Sequence, residues 1–157
     1  ARYWAGLGIK TAYLDFDERA NPQLTMPASC RGIEEYLDGQ AAWESVLFTH
    51  ENVACFKLTA RSGNLPERLH GRAMTRLLTT MRTNYACVII DTPAFLESRS
   101  SEQIALLAGN SVWIIDAKHT MRRTVNLAFD SLDRAGIRPI GIVLNFAAPE
   151  RAAGGKA

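Results

Sequence analysis

Short apolar runs alternate along this chain with longer stretches in which apolar residues recur every three or four positions. The runs predict strands at Thr11 to Asp15, Asn52 to Leu58, Ala86 to Asp91, Ser111 to Asp116 and Pro139 to Leu144. Val88-Ile89-Ile90 and Val112-Trp113-Ile114-Ile115 are apolar without alternation, the pattern of strands covered on both faces and paired in parallel. Leu65, Leu69, Ala73, Leu77, Leu78 and Met81 share one helical stripe, and Arg68, Arg72, Arg76 and Arg82 lie mainly off it, as a solvated face would. Ser100-Ser101-Glu102-Gln103 predicts a capping box opening a helix that stops at Gly109. A further helix carries Val125, Ala128, Phe129 and Leu132 and ends at Gly136, and a shorter one runs from Gly32 to Asp38. Ala1 to Leu7 reads as the end of a helix closed by Gly8. Strands alternating with helices predict βαβ units. The expectation is an α/β domain over residues 1–146, in three layers, with a mostly parallel central sheet flanked by helices. Residues 147–157 are Ala, Gly and charge, and read as a mobile tail.

Composition narrows the class. The chain has 157 residues, long enough for a real core, with 47% hydrophobic and 22% charged residues. A net charge of +2, with the arginines dispersed, excludes the basic footprint of a nucleic-acid binder. No apolar run approaches the ~20 residues of a membrane span. The start, Ala1-Arg2-Tyr3-Trp4, has no initiator Met and no signal-peptide pattern, and reads as a fragment or a processed chain. Cys30, Cys55 and Cys87 have no metal-type spacing and read as reduced thiols of a cytosolic protein. His50, His70 and His119 are scattered singly.

Two of the apolar runs end in aspartate, at Asp15 and Asp91. Ligands of a parallel α/β sheet bind at this rim. Asp91, followed by Thr92-Pro93, either holds a metal-bound water beside a phosphate chain or caps the next loop. Asp15 and Asp17 share a face of an extended strand and repel unless a cation or a proton lies between them; the alternative is a solvated turn. Asn145, at the end of the last strand, reads a base edge with its amide or caps a turn. Gly6-Leu7-Gly8-Ile9-Lys10-Thr11 is not read as a phosphate loop, because such a loop needs a strand before it and a helix after it.

Together these residues resemble the cytoplasmic domain of the bacterial tyrosine kinases that control exopolysaccharide and capsule chain length, within the deviant-Walker P-loop ATPases. Tyr13-Leu14-Asp15-Phe16-Asp17-Glu18-Arg19, followed by Asn21-Pro22, is similar to that family's second Walker motif, and Val88 to Ala94 to its Walker B. Gly32 to Gly39 resembles its Gly-Leu-Ser-x-x-Leu-x-Gly segment, Arg61 to Leu69 a shortened Pro-rich stretch, and Gly141 to Asn145 its last strand. The resemblance implies ATP and Mg²⁺ as cofactors and transfer of the γ-phosphate to a tyrosine of a neighbouring subunit. By it, Asp15 and Asp91 would hold the metal, and Asp15, Asp17 and Asp91 would be catalytic. Arg19, Thr92, Pro93 and Asn145 would line the nucleotide. It further implies a membrane chain-length or co-polymerase protein as partner, a homo-oligomer, and a place at the cytoplasmic face of the inner membrane. The family's Walker A loop is expected upstream of Ala1. Ser98-Arg99-Ser100-Ser101 replaces a family Asp, and the tyrosine-rich tail is missing. These departures keep two alternatives open: a non-catalytic regulatory partner, or a partition-type ATPase.

Overall fold

The first unit is built around a central strand whose residues are covered on both faces. The computed structural model describes residues 1–17, 19, 24–59 and 65–147. The chain divides into two compact units, Ala1–Ile104 and Ala105–Ala157. In chain order the first unit carries α1 (Arg2–Gly6), β1 (Thr11–Asp15), α2 (Ile33–Leu37), α3 (Trp43–Val46), β2 (Phe48–His50), β3 (Val53–Lys57), α4 (Leu65–Leu69), α5 (Arg72–Asn84) and β4 (Cys87–Asp91). The division falls within α6 (Arg99–Ala108), after which come β5 (Val112–Asp116), α7 (Arg122–Ala135) and β6 (Gly141–Asn145).

The four-stranded sheet of the first unit has the order β2-β3-β1-β4. β1 runs parallel to β3 and to β4, and β2 is antiparallel to β3. Ala12, Leu14 and Phe16 are fully buried on one face, with Phe56, Ile33, Met74 and Leu77 also at 0% exposure. On the other face Tyr13 packs against a cluster of Leu24, Phe48, Val53 and Cys55, which Ala1 and Ala5 of the α1 segment also touch. The period of two thus sends alternate residues of β1 into two separate apolar environments.

The local signals explain most boundaries. Gly8, at φ +77°, closes α1, and β1 follows, so the Gly6–Thr11 segment runs from helix to strand. Gly109 and Gly136 end α6 and α7 in the same left-handed conformation. Three expectations are corrected. The stripe from Leu65 to Met81 is not one helix: it breaks at His70-Gly71, where Gly71 is extended. Leu65 and Leu69 are buried, and so are Met74, Leu77, Leu78 and Met81; the five-residue step from 69 to 74 does not fit an unbroken helix, and the break resets the phase. The helix at Ser100 begins at Arg99, and the Ser98 hydroxyl accepts the Ser100 N–H at 3.2 Å, so no Ser100 capping box forms. Arg68 is only partly solvated, with its fork held by Asp38 at 2.7 and 2.8 Å. The pattern also missed α3 and β2. Both are too short to show a period, and β2 is fixed by a hairpin turn through Glu51 and Asn52, at φ 49° and 63°.

In the second unit β5 and β6 pair in parallel, from Val112↔Gly141 to Asp116↔Asn145. Trp113 of β5 stacks on Phe129 of α7 at 5.3 Å. β5 was expected to be buried on both faces, yet Val112 and Ile114 are 54% and 71% exposed. β4 is only half-buried. Among the described residues each of these strands pairs along one edge only, which leaves its apolar side chains less covered than in a sheet interior. Among the described residues no helix is long and apolar enough to cross a membrane. The Arg61–Asn64 part of the Pro-rich stretch, Asn21-Pro22 and the tail from Ala148 lie outside the described residues.

Two outcomes are expected. Light scattering will show concentration-dependent self-association, and Ile114→Lys will reduce it without lowering the unfolding temperature. Gly32→Ala will destabilise the chain by about 1–3 kcal/mol in urea unfolding, because a Cβ at this position overlaps the buried Glu34 carboxylate.

Candidate functional site

The rim of the first sheet gathers six of the seven expected site residues by strand register. β1 and β4 pair with Asp15 directly beside Asp91, so both carboxylates stand at the carboxyl ends of adjacent parallel strands. The Phe16 N–H donates to the Asp91 carbonyl at 2.9 Å, and the Leu58 N–H to the Asp15 carbonyl at 3.2 Å. These bonds carry the three strands to a common end.

The two carboxylates differ in setting. Asp15 is 1% exposed; its Oδ1 accepts the Asp17 N–H at 3.2 Å, and its Oδ2 is buried with no hydrogen-bond partner. Burial pushes its pKa above the usual carboxylate range, against the Asp17 N–H and the Lys57 ammonium and with the help of Asp91 and Asp17. Asp91 is exposed, and its Oδ2 accepts a hydrogen bond from the Tyr13 hydroxyl at 2.7 Å. Burial and then this bond to Asp91 push the Tyr13 pKa far up, so the phenol stays a donor.

Asp17 is committed to Arg19. It accepts the Arg19 N–H at 3.0 Å, Nε at 2.9 Å and Nη2 at 2.7 Å. Burial alone would raise the Asp17 carboxyl, but these bonds hold it below the usual range and so ionised. Arg19 also approaches Glu97 at 3.9 Å. Thr92 and Pro93 are half-buried at the exit of β4, and the Pro93 carbonyl accepts the Ser101 hydroxyl at 2.7 Å. Asn145 tips β6 in the second unit; its Oδ1 accepts the Phe146 N–H at 3.1 Å, which leaves the amide nitrogen as its outward donor.

Three features escaped the sequence. Lys57 ends β3 in register with Asp15, and its ammonium donates to the Leu24 carbonyl at 2.9 Å. A charge closing an apolar run, as at Asp15 and Asp91, was the signal available. The Tyr13 hydroxyl left none, since its acceptor is 78 residues away. His119 is not solitary: it bonds Asp116 at 2.9 Å, and the i,i+3 spacing after a strand could have indicated it.

An orphaned, buried carboxylate oxygen beside a second carboxylate suits a divalent cation. Mg²⁺ takes one or two carboxylates and keeps several waters. Asp15 and Asp91 supply that pair, and among the described residues no group of three or more His, Cys, Asp or Glu is arranged for a metal. The residues present therefore fit the metal that the sequence implied.

No protein-family model matches the chain. The fold is that of P-loop NTPases of the MinD type: the MinD cell-division protein of Aquifex aeolicus superposes with a TM-score of 0.68 at 15% identity, over 89% of this chain and 57% of that one. Bacterial tyrosine kinase domains are nearer. The VpsO kinase domain matches with a TM-score of 0.82 at 26% identity, over 94% of this chain and 74% of that one. The kinase domain of Escherichia coli tyrosine kinase ETK gives 0.83 at 23% identity, over 99% of this chain and 62% of that one. In sequence, the tyrosine-protein kinase Ptk of Acinetobacter johnsonii is 28% identical over 117 residues, 73% of this chain and 16% of that protein. The "Putative tyrosine-protein kinase AmsA" of Erwinia amylovora is 28% identical over 147 residues, 90% of this chain and 20% of that protein. The homologues of this chain are bacterial tyrosine kinases, and its fold is that of their kinase domains.

Asp15→Asn is expected to stabilise the chain at pH 7 in a chelating buffer by on the order of 1 kcal/mol, since it removes a buried, unpaired charge. A raised native pKa means the folded chain holds this proton more tightly than the unfolded one. The charge therefore costs stability as pH rises from the ordinary carboxylate range through the raised value, and the gain shrinks toward pH 4. Urea unfolding of both proteins at the two pH values checks this.

Proposed function

We propose that this chain is the nucleotide-binding part of a bacterial tyrosine autokinase of exopolysaccharide or capsule synthesis. The observation that carries the reading is the in-register pair Asp15 and Asp91, with the buried, unpartnered Oδ2 of Asp15. Bound Mg·ATP supplies the phosphoryl group and a divalent charge to offset its oxygens. Asp15, through its unpartnered Oδ2, and Asp91 would hold the metal or its bound water. Asp17, kept ionised by Arg19, would serve the acceptor hydroxyl. Thr92 and Pro93 lie at the exit of β4, and by the resemblance Asn145 would serve the base.

The acceptor is a tyrosine of a second copy in a homo-oligomer. The whole protein works with a membrane chain-length protein at the cytoplasmic face of the inner membrane. The kinase neighbours match with higher TM-scores than MinD, which favours this reading over a partition-type ATPase.

A second reading, a regulatory partner that keeps the fold without turnover, draws on Ser98 to Ser101. Where the family carries an Asp, these hydroxyls cap α6 and hold the Pro93 carbonyl.

Autophosphorylation of the full-length gene product with Mg·ATP separates the two. Asp15→Asn and Asp91→Asn are each expected to lower the rate about a hundredfold or more, the scale of losing a preorganised electrostatic group. Unchanged rates in both variants would sink the kinase reading, and a wild-type protein without turnover would favour the regulatory one.

A further inference from the structure

Tyr13 lies two residues before Asp15 on β1, so both side chains leave the same face of the sheet. β1 and β4 pair Tyr13 with Ile89 and Asp15 with Asp91, and the Tyr13 hydroxyl therefore reaches Asp91 on a diagonal between the strands. The bond is 2.7 Å long and ends on Oδ2. The ring is fixed at its base: it packs against the cluster of Leu24, Phe48, Val53 and Cys55 and borders a cavity of about 220 Å³ beside His50. An Asp at an exposed strand end is otherwise free to turn among its rotamers. Here the hydroxyl of a packed ring holds Oδ2 of a carboxylate in register with Asp15, and Oδ1 is the oxygen that Tyr13 does not use.

We propose that Tyr13 is a positioning residue for Asp91: its hydroxyl ties Oδ2 so that Oδ1 is presented to a divalent cation shared with Asp15. The proposal rests on the metal reading of the Asp15–Asp91 pair. Carboxylates that ligate metals are commonly oriented by hydrogen bonds of this kind, and loss of one typically weakens metal affinity 10- to 100-fold. Tyr13→Phe keeps the ring and its packing and removes only the donor.

The test is Mn²⁺ binding to the 157-residue chain, followed by water-proton relaxation, in the wild type, Tyr13→Phe and Asp91→Asn. Tyr13→Phe is expected to raise the Kd for Mn²⁺ roughly tenfold, and Asp91→Asn to abolish saturable binding. A second readout needs no Tyr13 variant. Mg²⁺ draws electron density from Asp91 and weakens it as an acceptor, so the near-ultraviolet tyrosine band of the wild type should shift to the blue on Mg²⁺ addition and stay still in Asp91→Asn. An unchanged Kd in Tyr13→Phe, with binding lost in Asp91→Asn, overturns the positioning role and leaves the metal pair standing. An absence of saturable binding in the wild type, or binding unaffected by Asp91→Asn, overturns both.

Discussion

Register between β1 and its two parallel neighbours is the constraint on which the rim depends. A slip of a single residue turns every side chain of a strand to the opposite face. It would part Asp15 from Asp91, carry the Tyr13 hydroxyl away from its acceptor and move Lys57 off Asp15. The interior prevents it: Ala12, Leu14 and Phe16 are sealed at 0% exposure, while Tyr13 faces a separate apolar cluster, so a shifted β1 would mismatch both environments at once. The polar geometry at the ends of the strands is thus inherited from the hydrophobic packing of the residues that flank it on β1.

The charges at that rim are distributed unevenly. Arg19 satisfies Asp17 through several bonds, and Lys57 stands in register with Asp15 yet gives a hydrogen to the Leu24 carbonyl. Asp15 is left with a buried oxygen that has no hydrogen-bond partner among the described residues, which is uncommon for a buried carboxylate. Buried groups with shifted protonation of this kind are enriched at functional sites, which is the physical ground for the proposed role of Asp15.

Sequence patterns carried the strands well and the connections poorly. β1 was legible to the residue because Asp15 interrupts an apolar run, and β4 likewise at Asp91. Gly8, Gly109 and Gly136 marked helix ends through a backbone conformation that other residues avoid. Elements of three or four residues, β2 and α3, carry too few positions for any period to emerge. The break at Gly71 was hidden because both halves of the stripe point into the same core. Of the site, the placement of Asp15 and Asp91 at strand ends could be read directly. The hydroxyl of Tyr13 and the ammonium of Lys57 could not, because each acquires its role from a residue that only the sheet brings near.

The short antiparallel hairpin at the far side of the first sheet makes that sheet directional. β2 has three residues and is closed by a turn in which Glu51 and Asn52 both take left-handed backbone, so it offers little ladder to a further strand. β4, at the opposite margin, is longer and apolar. Among the described residues β4 pairs on one side only, so of the two margins of this sheet β4 carries the longer ladder. Within this sheet the hairpin margin is the one least suited to adding a strand.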